Sequence, residues 1–181
     1  MNVLFLCTGN SCRSILGEAT FNHLAPPGWR AMSAGSKPTG QVHPRSLALL
    51  AREGISTEGY YSKSWNDLPV TPDIVLSVCG NAANETCPAY LGPVLRSHWG
   101  VFDPAAVDDD VKRIAFAQAF AILERRIVLF TSLRPESLER MALEQQVREI
   151  GRMGEGDSAS TCCDTEANLS TTQTDQIDSY L

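Results

Sequence analysis

The chain has 181 residues, 43% of them hydrophobic, enough for one compact domain and a short appendage. No stretch nears the ~18 uninterrupted apolar residues of a membrane span, and Val3–Leu6 lacks the charged lead of a signal peptide. The net charge of −6 is confined to the end: six of the 21 acids lie in residues 154–181, which hold no Lys or Arg, leaving 15 acids to balance 15 bases and no basic footprint for nucleic acid.

Asn2–Leu6 is a short apolar run ended by Cys7 and a Gly-Asn turn, the pattern of a buried strand. Ser14–Leu24 then shows helical spacing, with Pro26 and Pro27 as its stop. Trp29–Ala34, closed by Gly35, predicts a second strand. Pro44–Glu53 predicts a helix with Pro at its start and Gly54 after its end. Asp73–Val78 is the clearest strand and runs straight into Cys79; Val94–Trp99 is a weaker one. Helical periodicity returns over Asp108–Phe130 and again over Pro135–Ile150, before Gly151. Alternating strands and helices imply a mostly parallel sheet covered on both faces, with ligands beyond the carboxyl ends of the strands. Cys7 and Cys79 both fall at such ends. Residues 1–151 are therefore expected to form the domain. Residues 152–181, rich in Ser, Thr, Asp and Gly, read as a disordered acidic tail.

The chemistry concentrates in Cys7-Thr8-Gly9-Asn10-Ser11-Cys12-Arg13-Ser14, a C-x5-R loop between strand and helix. Such a loop can ring an anion with the backbone amides of Thr8 to Arg13, helped by the dipole of the following helix. Gly9 permits the tight turn, and Asn10 tolerates positive φ. Arg13 offers a planar fork for two oxygens of a tetrahedral oxyanion. This environment is expected to lower the pKa of Cys7 below the ordinary thiol value of about 8.5, with Ser14 donating to the sulfur.

With that placement, the loop resembles that of the low-molecular-weight protein tyrosine phosphatase fold, whose nucleophile and phosphate-binding arginine match Cys7 and Arg13. The resemblance covers about residues 2–130. It implies a three-layer α/β/α domain around a mostly parallel four-stranded sheet, serving either phosphate ester hydrolysis or arsenate reduction. The segment Ser77–Pro88 (SVCGNAANETCP) separates the two. Reducing arsenate takes two electrons, which a protein supplies by converting two thiols to a disulfide. The chain is similar here to thioredoxin-coupled arsenate reductases, and Cys79 and Cys87 match their redox pair. The resemblance implies that Cys7 attacks arsenic, Cys79 attacks Cys7, and Cys87 attacks Cys79. An external thiol donor, thioredoxin or a glutaredoxin/glutathione couple, then resets the enzyme for arsenic detoxification.

His98-Trp99-Gly100 and Asp103-Pro104 also match this family, in which the Asp-Pro aspartate protonates the departing oxygen. As a cap, Asp before Pro also suits a helix-start turn. Cys12 could either bridge Cys7 protectively or simply pack. Glu18 and Ser33, near Asn10, match positions that help hold a potassium ion in some relatives; no further acidic ligand is matched around Tyr61–Asp67, and no cofactor is obligatory. His23, His43 and His98 lack metal-ligand spacing and read as structural. Cys162-Cys163 is either an incidental pair or a site for a soft ion. The alternative function is a low-molecular-weight protein tyrosine phosphatase acting through a Cys7 phosphocysteine; Tyr60, Tyr61 and Trp65 keep it open. A monomeric cytoplasmic enzyme without nucleic-acid or membrane partners is expected.

Overall fold

The computed structural model describes residues 1–80, 94–133 and 140–153. Cys87, Cys162, Cys163, the first turn of the helix predicted from Pro135, and the tail from residue 154 lie outside these. Four strands, β1 (Asn2–Cys7), β2 (Arg30–Gly35), β3 (Ile74–Ser77) and β4 (Leu95–His98), form one sheet in the order β2-β1-β3-β4. All three pairings are parallel. The helices are α1 (Arg13–Leu24), α2 (Pro44–Arg52), α3 (Asp109–Thr131) and α4 (Arg140–Arg152), with a short 3-10 turn at Trp65–Asp67. The strands and the first three helices lie where predicted, with ends displaced by at most a residue; the last helix is described from Arg140 and runs two residues past its predicted end. The α/β/α architecture is the expected one. Among the described residues, no helix is long and apolar enough to cross a membrane.

β1 is central, flanked by β2 and β3, so Val3 to Cys7 are all buried. That double burial is why its sequence is continuously apolar rather than alternating. α1 lies directly on this strand because Gly17 has no side chain. A Cβ there would sit 2.6 Å from the Phe5 ring. Phe5 then meets Phe21 and Trp99 edge-on, and Phe130 closes the cluster from α3. Aromatic pairs of this kind add about 0.5–1.5 kcal/mol each beyond area burial.

β4, at the sheet's edge, buries only Leu95 and Ser97 of its four residues. α4 secures it: the Trp99 indole N–H and the Ser97 hydroxyl both donate to the Val147 carbonyl, at 3.0 and 3.3 Å. Gly151 permits the approach, since a Cβ there would lie 2.4 Å from the His98 carbonyl. Arg126 of α3, 2% exposed, donates to the Gly100 and Met153 carbonyls, tying the segment after β4 to the end of α4. In α2, His43 is the N-cap, its Nδ1 accepting from the Arg45 amide, as a structural reading of that histidine requires.

Candidate active site

Residues 7–14 leave β1 and become the first turn of α1, so the loop is fixed at both ends by regular structure. Its carbonyls are held from outside. The amides of Lys37, Thr39 and His43 donate to the carbonyls of Thr8, Gly9 and Ser11 at 2.9–3.0 Å. A peptide plane pinned by its oxygen on the outer side turns its N–H edge toward the centre. The Asn10 amide accordingly donates to Cys7 Sγ at 3.1 Å. Asn10 has φ of 43°, the left-handed conformation expected for it. Gly35, at the end of β2, lets the loop settle there: a Cβ would meet the Thr8 carbonyl at 2.4 Å and the Asn10 amide at 3.0 Å.

Asn10 is also the hub of a buried side-chain network. Its amide group donates to Ser14 Oγ (3.0 Å) and Ser33 Oγ (2.8 Å), and its side-chain oxygen accepts from the Lys63 backbone amide (2.7 Å). Ser33 donates to Glu18 Oε2 at 2.5 Å, and Lys63 Nζ lies 3.4 Å from the same oxygen. Ser14 Oγ is 2.9 Å from Cys7 Sγ. Each such bond contributes on the order of 1 kcal/mol net, and removing one partner costs more than that because the other stays buried. Burial pushes the Glu18 carboxyl up, against the opposing pull of Ser33 and Lys63.

The expectation of a lowered Cys7 pKa is corrected. Burial is the largest influence on the thiol and raises its pKa; the Ser14 and Asn10 hydrogen bonds oppose this, and Arg13 acts last and least. The weakness of the Arg13 contribution follows from where that residue points. Its guanidinium donates to the Val101 carbonyl at 2.9 Å and pairs with Asp103 Oδ2 at 3.1 Å, so much of its field is directed away from the sulfur. Cys12 is pushed up to about 11, first by burial and then by the Asp103 carboxylate.

Asp103 therefore stands at the loop's mouth, 45% exposed, paired with Arg13. Its second oxygen accepts from the Ala105 amide, so it also caps the turn that follows. Cys79, 4% exposed, lies just past β3 with its sulfur 3.6 Å from Thr8 Oγ1. It is near enough to Cys7 that its charge would push that thiol up further. Cys7, Cys12 and Cys79 are in no disulfide. The structure thus gathers Cys7, the loop to Ser14, Cys79 and Asp103 at one end of the sheet, the carboxyl ends of its strands. Cys87 lies outside the described residues.

Sequence reasoning missed three participants. Lys63 falls in the stretch where no acidic ligand could be matched, Gly35 read only as a strand terminator, and Val101 acts through its carbonyl. Only Gly35 left a signal, a glycine ending a strand beside the loop.

A buried thiol that accepts from the Asn10 amide, with an arginine and an aspartate paired beside it, is the arrangement expected of an enzyme that takes a tetrahedral oxyanion onto sulfur. Residues 2–147 match the low molecular weight phosphotyrosine protein phosphatase family, and the chain belongs to it. Among curated relatives, it is 36% identical over 107 residues to an arsenate reductase of Shouchella clausii, covering 59% of this chain and 76% of that one. It is 34% identical over 131 residues to an arsenate reductase of Halalkalibacterium halodurans, covering 71% and 93% respectively. A solved structure of an arsenate reductase in the phosphate binding state superposes with a TM-score of 0.57 at 26% identity, covering 70% of this chain and 95% of that one.

Proposed function

We propose that this enzyme reduces arsenate to arsenite, with Cys7 as nucleophile and Cys79 as the thiol that carries the redox step. The observation that carries this reading is the second buried thiol, Cys79, beside Thr8 at the end of the neighbouring strand. Ester hydrolysis has no task for it. The curated relatives named as arsenate reductases support the same choice over the phosphatase alternative.

In the reaction, the loop amides and Arg13 bind arsenate, and Cys7 sulfur attacks arsenic. One oxygen departs as water; the thiol proton and Asp103 are the sources of its protons. Cys79 sulfur then attacks Cys7 sulfur. The S–As electron pair stays on arsenic, which becomes As(III) and leaves as arsenite, while Cys7 and Cys79 become a disulfide. Cys87 attacks Cys79, which frees Cys7 and leaves Cys79–Cys87 oxidised. An external dithiol of the thioredoxin type, or a glutaredoxin/glutathione couple, restores both thiols with two electrons. Thiols kept reduced between turnovers suit the cytoplasm. The enzyme works as a monomer in arsenic resistance, and these steps call on no obligatory cofactor.

Arsenate turnover with a thioredoxin system, run beside p-nitrophenyl phosphate hydrolysis, tests the scheme. Cys79→Ser and Cys87→Ser should each abolish multiple-turnover reduction and spare any hydrolysis. Wild-type reduction in either variant refutes the three-cysteine scheme; loss of hydrolysis as well would mean that Cys79 serves the loop itself.

A further inference from the structure

Behind the oxyanion loop, Asn10, Ser33 and Glu18 converge in the interior. A carboxylate there has lost its water, and burying a charge is costly unless a counterion faces it. A bound potassium ion would be one solution, and these are the residues first expected to hold it. The structure contains another. Lys63 runs inward with its side chain 7% exposed, and its ammonium lies 3.4 Å from Glu18 Oε2 and 3.4 Å from the Tyr61 carbonyl. The Tyr61 ring covers the ammonium, 4.5 Å from Nζ to the centroid.

We propose that Lys63 is the loop's built-in cation: a tethered ammonium that occupies the place of an alkali metal ion and makes the enzyme indifferent to potassium. This rests on the reading of residues 7–14 as an oxyanion cradle, though not on which oxyanion is turned over. Two features of Lys63 act together. Its ammonium neutralises Glu18, which accepts from Ser33, which in turn accepts from Asn10. Its backbone amide donates directly to the Asn10 side-chain oxygen. One residue therefore holds the hub of the cradle from both ends of the network. An added cation would meet the ammonium's like charge, so the donor set does not suit a metal ion while Lys63 is present. Lys63 is a positioning residue, touching neither Cys7 nor the oxyanion.

The structure also supplies a route for a test by rescue. A cavity of about 260 Å³, lined by Glu18, Arg30, Met32, Tyr61 and Lys63 among others, opens beside the pair. A small cation can reach Glu18 from solvent once the ammonium is gone.

The experiment compares the wild type with Lys63→Met in KCl, NaCl and tetramethylammonium chloride at one ionic strength. The readouts are the Tm, the Kd for inorganic phosphate, and kcat and KM for arsenate. The wild type should give the same values in all three salts. Lys63→Met should bind phosphate about ten- to a hundredfold more weakly, as expected when a loop is displaced slightly. Potassium should recover both its Tm and its phosphate Kd, saturably, where tetramethylammonium does not. A potassium-specific rise in the wild-type Tm or affinity would overturn the proposal, as would a Lys63→Met variant with unchanged Tm and phosphate Kd. Should Lys63→Met fail to fold without potassium, Lys63→Met/Glu18→Gln removes both charges and should fold there. A double variant as unstable as the single one would show that the charge pair is not what Lys63 supplies. Failure of arsenate turnover alone, with these binding results intact, would count against the arsenate reading and not against Lys63.

Discussion

The two halves of the site are built on opposite plans. The cradle, on β1 and β2, is eight consecutive residues whose carbonyls are pinned by Lys37, Thr39 and His43 and whose hub is tied to Ser14, Ser33 and Lys63. The opposite wall, on β3 and β4, is assembled from Cys79 and Asp103, which are far apart in the chain and lie just beyond their strands. Its bracing is remote: Arg126 holds the Gly100 carbonyl and the Trp99 indole is anchored on α4. The difference suits the work that the proposed mechanism gives each half. An oxyanion is held best by dipoles that need not reorganise. Proton and electron transfer need groups that approach and withdraw, and segments between elements allow that.

Asp103→Asn should separate the halves most sharply. As the proposed acid at the mouth, Asp103 should contribute about 10²–10⁴ to kcat. Phosphate should nonetheless bind at least as tightly to the variant, because Arg13 loses the carboxylate now paired with it at 3.1 Å. Single-turnover arsenate kinetics beside calorimetric phosphate titration would show the split. Weaker phosphate binding would place Asp103 in the cradle instead.

Gly35→Ala attacks the other half, with a smaller effect. Its Cβ would collide with the backbone of Thr8 and Asn10, so the loop has to move rather than a side chain. Displacement of that kind should raise the phosphate Kd about ten- to a hundredfold and cost about 1–3 kcal/mol of stability. Arsenate reduction and p-nitrophenyl phosphate hydrolysis should fall together in kcat/KM, since both use the cradle. A fall in one alone would contradict a shared loop.

How readily each half could be read from the sequence follows the same division. The cradle's chemistry is contiguous, so its Cys, Gly, Asn, Arg and Ser stand at visible spacing between a buried strand and a helix. β1 and β3, buried on both faces, announce themselves as apolar runs. β4 buries alternate residues only, which is why its signal was faint. Lys63 was invisible because its partner, Glu18, is 45 positions away and a lone lysine usually marks a surface. The Cys7 pKa was misjudged for a related reason. A nearby arginine suggests a thiolate, but Arg13 faces Val101 and Asp103, a contact across 88 positions or more, while the depth of burial depends on the whole packed sheet.

The smallest effect is one of pH, and it probes the cradle before any oxyanion arrives. Burial raises the folded-state pKa of Cys7, and raises Cys12 from 9.0 to about 11. A group of this kind keeps its proton longer folded than unfolded. Its contribution to stability is complete below the unfolded thiol value and is lost as pH rises through the folded one. The Tm should therefore decline between about pH 9 and 11, and Cys12→Ser should flatten part of that decline. Iodoacetamide reports on Cys7 separately, because only the thiolate reacts. Carried out on Cys12→Ser/Cys79→Ser without oxyanion and read by mass spectrometry at the Cys7 peptide, apart from those of Cys87, Cys162 and Cys163, alkylation should accelerate only above the ordinary thiol range near pH 8.5. A rate already level at pH 7 would mean a Cys7 thiolate at neutrality, with the field of Arg13 and the loop amides outweighing burial. Alkylation that shifts to lower pH in Asp103→Asn would show that the carboxylate, by drawing Arg13 away, adds to the rise that burial imposes.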